Sequence, residues 1–379
     1  MHLTATVLLR SVVLGLAGVA GAAGQGPDES VLKITAEERG RAISAIAKEF
    51  DARYVFPEVA AKVKAALESE KDKGRYGNIA TGQELARVLT DHLQEMTRDK
   101  HVRVNCSTKK LPAPNPGAGP PPDALKRMQE NSRVANAGFT RVERLAGNVG
   151  YLRLDGFMNP DVGREPLQAA MTFLRNTDAL ILDLRYNGGG TPLMIRDLCS
   201  YFFSGDKPVL LNTMYFRSGD RTEEFWTRKE TPGPRYTGKP VFVLTSAFTF
   251  SGGEECAYNF QTQKRGVIVG ETTGGGAHPG GNIPIADHYM VFIPNGRAIN
   301  PVTKTNWEGV GVKPDVAVDA DKALDAARDL AVKALLNSND ETVRARAKAD
   351  VDGDARRMRN VEQRRQATLK ERRARRRPE

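Results

Sequence analysis

The chain has 379 residues, a formal net charge of +10 and 40% hydrophobic residues, more than one core usually organises, so two domains are expected. Its three cysteines, Cys106, Cys199 and Cys256, exclude a disulfide framework and leave no pair at metal-site spacing. The basic excess is local: Thr342 to Glu379 carries fourteen Lys or Arg against six Asp or Glu, so the body is nearly neutral and no nucleic-acid partner is expected.

Residues 1–26 have the pattern of an export signal: Arg10, the apolar run Val12 to Ala23, and small residues Ala20-Gly21-Ala22-Ala23 suited to cleavage. No other segment approaches the ~20 apolar residues of a membrane span. The expectation is an exported protein, periplasmic or secreted, with no membrane span. Residues 27–106 show helical spacing at Ile43, Ile46, Phe50, then Val59, Val63, Leu67, then Leu85, Val88, Leu89, Leu93, which predicts a small bundle of three helices. It closes on the alternating His101-Val102-Arg103-Val104. Residues 107–136 hold six prolines between Leu111 and Pro122 and are expected to be a linker.

From 137 to 337 strand and helix patterns alternate, the signature of a layered α/β core. The strand 179–184 ends in Asn187-Gly188-Gly189-Gly190, and the strand 241–244 empties into a short loop that delivers Ser251 to a helix beginning at Gly252. A hydroxyl at a helix start lies over unpaired N–H groups and the positive end of the helix dipole, a setting suited to a nucleophile and its oxyanion. Ser251-x-x-Glu254 is equally a capping box, which needs no chemistry. Residues 338–379 are expected to be a solvated, partly helical basic tail without an apolar stripe.

Three segments in order, Leu182-Asp183-Leu184-Arg185-Tyr186-Asn187-Gly188-Gly189-Gly190, Thr249-Phe250-Ser251-Gly252-Gly253-Glu254-Glu255 and Val269-Gly270-Glu271-Thr272-Thr273-Gly274-Gly275-Gly276-Ala277-His278-Pro279, resemble the C-terminal processing peptidase (tail-specific protease) superfamily of serine peptidases. The closing run Asn306-Trp307-Glu308-Gly309-Val310-Gly311-Val312-Lys313-Pro314-Asp315 resembles its tricorn-core and interphotoreceptor retinoid-binding protein branch. The resemblance implies a crotonase-like ββα core with an N-terminal helical bundle, and the short 107–136 interval argues for no PDZ domain. It implies a peptide or protein substrate, and no cofactor.

The lysine-using branch places its base 25 residues after the serine, where this chain has Gly276, so that dyad is not expected. The tricorn-like pattern points instead to His101 as base and Glu308 as its acceptor, completing a Ser251–His101–Glu308 arrangement. The logic is that of a hydroxyl activated by an imidazole that a carboxylate orients. Lys100 stands where that pattern has a serine. The oxyanion hole would use the amide of Gly252 and one of Gly188–Gly190, with Gly189 favoured. His278 is a rival base or a residue that orders the substrate loop. Asp183 with Arg185 fits a structural ion pair, and Trp307 a core residue. No His-Glu-x-x-His, paired Cys-x-x-Cys or phosphate-loop ending is present, so no metal is expected. A noncatalytic binding protein for a hydrophobic ligand or peptide is the alternative on the same fold.

Overall fold

The computed structural model describes residues 31–111 and 122–374; the expected export signal and most of the proline-rich stretch lie outside them. Three helices open the chain, α1 (Ala36–Arg53), α2 (Pro57–Asp72) and α3 (Gly82–Thr97). Each begins where its sequence supplies a start signal. Thr35 and Glu38 exchange reciprocal capping bonds of 3.1 and 2.8 Å, Pro57 opens α2, and the Thr81 hydroxyl accepts the Glu84 N–H at 3.3 Å. Ile43, Ile46, Phe50, Val63, Leu67, Leu85, Leu89 and Leu93 are all buried, as the helical spacing predicts.

The chain continues through β1 (Arg103–Cys106), α4 (Pro122–Val134), β2 (Phe139–Leu145), β3 (Val149–Leu154), α5 (Pro160–Leu174), β4 (Ala179–Asp183), α6 (Pro192–Cys199), β5 (Leu210–Phe216) and β6 (Arg221–Trp226). Then come β7 (Val241–Thr245), α7 (Gly252–Thr262), β8 (Val267–Gly270), β9 (Gly280–Ile285), β10 (Tyr289–Pro294), β11 (Gly296–Ile299), β12 (Val316–Ala317), α8 (Ala323–Leu336) and α9 (Glu341–Ala374). The linker expectation for 107–136 needs correcting, because its last third is the helix α4, which proline starts rather than breaks.

The main sheet has the order β12-β8-β7-β4-β3-β2, parallel except for the edge pair β2–β3. The two-residue period of its strands divides the apolar side chains between two faces. Leu152, Leu154, Leu180, Leu182, Val241 and Val243 pack with residues of α5, α6 and α7; Tyr151, Ile181, Phe242 and Leu244 pack with α8. The buried Asp183–Arg185 pair at 2.7 Å, with the Tyr151 hydroxyl on Asp183 at 2.7 Å, is the structural ion pair expected. Cys199 and Cys256 lie in the core with fully buried side chains.

Two expectations about boundaries fail. The β9–β10 hairpin leaves the α/β region and packs into the helical one: β1 pairs with β10, and Ile285, Tyr289, Val291 and Ile293 join the core of α1–α3. The domains are therefore not contiguous at residue 106. The basic tail is a 34-residue helix whose first half is docked. Ala347 is fully buried against the α8 face of the sheet, Arg346 makes two 2.9 Å bonds to Asp178, and Asp350 pairs with Arg144 and accepts the Gly147 N–H at 2.6 Å. Among the described residues of the helix, Ala347 is the one fully buried, with Val343 partly buried beside it and the rest of the contact made by polar pairs, so the sequence shows no stripe. Beyond it, Met358 and Val361 are exposed.

Candidate active site

Ser251 stands where β7 turns into α7, with backbone φ 53° and ψ −119°. An N-cap residue is ordinarily extended, so a simple cap does not require this sparsely populated conformation, which typically costs ~1–3 kcal/mol. The surroundings hold it. The Ser251 N–H donates to Glu254 Oε2 at 2.9 Å, the Phe250 N–H donates to the Asn187 carbonyl at 3.0 Å, and the Glu255 N–H returns to the Ser251 carbonyl at 3.0 Å. Glu254 is fully buried and also accepts from Thr273 Oγ1 at 2.5 Å and from the Gly275 and Gly276 N–H groups at 2.6 and 2.8 Å. Burial pushes its pKa up to about 7 while these donors pull it down. One carboxylate thus ties the serine's backbone to the glycine-rich loop.

The glycines after β4 are packed against the serine. A Cβ on Gly189, whose φ is +109°, would lie 2.8 Å from Ser251 Cβ and 2.9 Å from Gly252 N. A Cβ on Gly190 would fall 2.0 Å from the Phe157 carbonyl oxygen. The choice of Gly189 as oxyanion donor needs correcting, because its N–H is bound to Asn187 Oδ1 at 2.9 Å, and that of Gly188 faces the Asp155 carbonyl at 3.3 Å. The Gly190 N–H and the Gly252 N–H have no acceptor among the described residues, and Gly190 N lies 2.9 Å from where a Cβ on Gly252 would sit.

His101 and His278 arrive together because of the small sheet. β1 and β9 flank β10, both antiparallel to it, and Phe292 pairs with Arg103 on one side and Asn282 on the other. Each histidine lies two residues before its strand, so both reach the same end of the sheet. Between them is Asp99, 1% exposed, which the sequence reading did not single out. Its Oδ2 is 2.7 Å from His278 Nδ1 and 3.4 Å from the Tyr54 hydroxyl, while its Oδ1 accepts the His101 N–H at 3.0 Å and lies 3.7 Å from His101 Nδ1. Glu308 completes the cluster, with Oε2 accepting the Ala277 N–H at 2.5 Å and 3.5 Å from His278 Nδ1. Burial and the neighbouring Asp99 raise Glu308 to about pKa 7; burial holds His101 down at about 4. Neither ring nitrogen of His101 has a hydrogen-bond partner among the described residues, and no bond joins it to Ser251. Its ring packs on Phe250, the residue before the serine, with centroids 4.6 Å apart.

Residues 148–318 match the model of peptidase family S41, and residues 29–137 match the model described as the N-terminal domain of peptidase S41 in eukaryotic IRBP. The chain thus carries a peptidase family S41 domain preceded by an S41-type N-terminal domain. A protein named a tricorn-like protease C-terminal subunit, from Sulfurisphaera tokodaii, is 29% identical over 210 residues, 51% of this chain; the chain spans only 22% of that relative's length. A peptidase structure from Parabacteroides merdae superposes with TM-score 0.54 at 19% identity over 82% of this chain and 99% of that one. Tricorn protease superposes with TM-score 0.51 at 14% identity over 80% of this chain and 37% of that one. At these identities the likeness establishes the fold, a helical N-terminal region joined to a mixed α/β core.

Two departures within this chain have steric or polar reasons. At Gly276 a Cβ would lie 2.3 Å from Phe250 Cζ and 2.6 Å from His101 Cε1, so a lysine base has no room there while His101 is in place. Lys100 points away from any relay, its Nζ bound to the Gly274 carbonyl at 2.6 Å, where it pins the loop to the helical region. Trp307 is buried as expected, and its indole N–H also fixes the Gly276 carbonyl at 2.7 Å. The one sequence signal for Asp99 is its place two residues before His101, the spacing at which an aspartate can accept a following N–H.

Proposed function

We propose that the chain is an exported serine peptidase in which Ser251 attacks the carbonyl carbon of a peptide or protein substrate and His101 takes the hydroxyl proton. The observation that carries this reading is the serine held at φ 53° beside the unengaged amides of Gly190 and Gly252. Attack places negative charge on the carbonyl oxygen, and two N–H groups fixed in advance stabilise that charge without reorganising. The depressed pKa keeps the His101 imidazole neutral at neutral pH, with a lone pair ready to accept the proton. Asp99 and Glu308 then stabilise the imidazolium, which protonates the leaving amine and leaves an acyl group on Ser251. A water molecule, deprotonated by the same imidazole, releases the acid. Catalytic hydrogen bonds are commonly long before substrate binds, and the one between His101 and Ser251 would form on binding.

Hydrolysis of a mixed peptide library by the purified chain tests the reading. Ser251→Ala is expected to lose at least ~10³ of the rate, with its unfolding temperature held, since alanine keeps the backbone conformation. Hydrolysis that survives in the variant would sink the assignment. One observation favours a noncatalytic binding protein instead, the absence of a His101–Ser251 bond. A wild-type chain that retains a hydrophobic ligand or peptide and hydrolyses nothing would establish that alternative. Export rests on residues 1–26 and predicts a mature terminus between Ala23 and Pro27 on N-terminal sequencing. An intact Met1 on cytoplasmic protein contradicts it.

A further inference from the structure

We propose that Asp99, His101 and Glu308 form a binding site for Zn²⁺, and that the bound ion switches His101 out of catalysis. One donor atom from each of the three residues lies within 4.8 Å of the others. Zinc holds nitrogen and oxygen ligands at ~2.0–2.2 Å, which in a tetrahedron sets ligand edges of about 3.3–3.6 Å. The 3.7 Å between His101 Nδ1 and Asp99 Oδ1 is already near that value. Contraction by about an ångström on the longer edges completes the site.

The cluster also has unpaired donors and an unbalanced charge. Both nitrogens of His101, a side chain 10% exposed, and Glu308 Oε1 are buried without a hydrogen-bond partner among the described residues. A buried polar atom left unsatisfied is destabilising, so three in one cluster call for a ligand. Asp99 Oδ2 and Glu308 Oε2 both lie within 3.5 Å of the same nitrogen, His278 Nδ1, yet no lysine or arginine pairs with either among the described residues. The nearest cation by sequence, Lys100, is bound to the Gly274 carbonyl. A divalent cation would neutralise both carboxylates at once.

The outer contacts suit a metal site. Asp99 Oδ2 is held by His278 and Tyr54 while its Oδ1 accepts the His101 N–H, which leaves Oδ1 a second lone pair; Glu308 is held through Oε2 by the Ala277 N–H and presents an unpartnered Oε1. Three protein ligands leave a fourth position for water. The side chains of His101 and Glu308 are only 10% and 16% exposed, so a bound ion would be shielded from bulk solvent. One imidazole with two carboxylates suits Zn²⁺ over Mg²⁺, which prefers an octahedron of oxygens and keeps its waters. The site is not legible in the sequence because Asp99 and His101 meet their third ligand, Glu308, only through the fold.

The regulatory consequence rests on the peptidase reading; the binding does not. A neutral imidazole that gives one nitrogen to a cation carries its only proton on the other, leaving no lone pair for the Ser251 hydroxyl. Bound zinc therefore inhibits, and a chelator restores activity.

The full chain, stripped with a chelator, is titrated with Zn²⁺ by calorimetry and assayed for peptide hydrolysis in parallel. The expected result is one Zn²⁺ per chain for wild type and Ser251→Ala alike, at least tenfold weaker binding in Glu308→Gln and His101→Ala, and no competition from millimolar Mg²⁺. Glu308→Gln keeps an acceptor for the Ala277 N–H, and its thermal unfolding checks the fold. Should either variant fail to fold, the zinc absorption edge of the wild-type complex decides, with one imidazole and otherwise oxygen ligands expected. No saturable single site, undiminished binding in both variants, or a sulfur or multi-histidine ligand set overturns the site. Zinc that binds there yet leaves hydrolysis unchanged overturns the switch. Failure of every form to hydrolyse peptides counts against the peptidase reading, while calorimetry still decides the site.

Discussion

Ser251, Gly252 and Gly190 are set by contacts within the α/β core: a turn between β7 and α7, a loop after β4, and hydrogen bonds that fix the serine's backbone. His101, Asp99, His278 and Glu308 come from the end of α3, the glycine-rich loop and the segment after β11, and meet only because β1 and β9 both pair with β10. The first group has its hydrogen bonds in place except at the two amides of Gly190 and Gly252. The second retains unpaired nitrogens and a carboxylate oxygen without a partner among the described residues. In the proposed reading the nucleophile half is therefore prepared in advance, whereas the base half is assembled by docking of the helical region.

If the halves act together, removing the base has the largest effect. His101→Ala is expected to lower kcat by at least ~10³, with His278→Ala, which reaches the reaction through Asp99 and Glu308, lowering it by ~10-fold or less. Near wild-type kcat for His101→Ala alongside a large loss for His278→Ala would reassign the base to the glycine-rich loop. Next comes the oxyanion pair. Loss of one donor typically costs ~10²–10³ in rate; Gly190→Ala keeps the N–H but its methyl would fall on the Phe157 carbonyl and displace the amide, so kcat should drop by up to that much. A mild effect there would return the role to Gly189.

Smaller effects separate the core from its attachments. Deleting residues 341–379 should destabilise the chain by ~2 kcal/mol or more, since Ala347, Arg346 and Asp350 lose buried partners; deleting 356–379 should change it by less than ~0.5 kcal/mol. Equal stability of both truncations would show that α9 contributes nothing. Glu255 supplies the finest test. Its carboxyl is buried in the nucleophile half, with its pKa pushed from 4.5 up to about 7. Between those values the folded chain holds a proton that the unfolded chain has released, so stability falls as pH rises, by ~1.4 kcal/mol per pH unit at most. Glu255→Gln should flatten that slope in denaturant titrations at pH 5 and pH 7; an unchanged slope assigns it to other groups.

The difference between the halves also explains what could be read from the sequence. The strands, the bundle and the turn at Ser251 rest on periodicity and local start signals, and all appear where expected. Asp99 was missed because its partners are 179 positions away at His278 and 45 away at Tyr54. The choice among Gly188, Gly189 and Gly190 depends on which amide Asn187 engages, a matter of side-chain geometry. Docking of α9 was invisible because its buried contact is made by alanine and by arginine and aspartate pairing with core residues.

Labelling by a fluorophosphonate reads out both halves at once, because the reagent needs an activated serine and a pocket for its oxygen. Wild-type protein is expected to label stoichiometrically, with the adduct mapped to Ser251, and His101→Ala to label at least ~100-fold more slowly while unfolding at the same temperature. A wild type that stays unlabelled, or a His101→Ala variant that labels at the wild-type rate, would contradict the account that these two regions form one catalytic site.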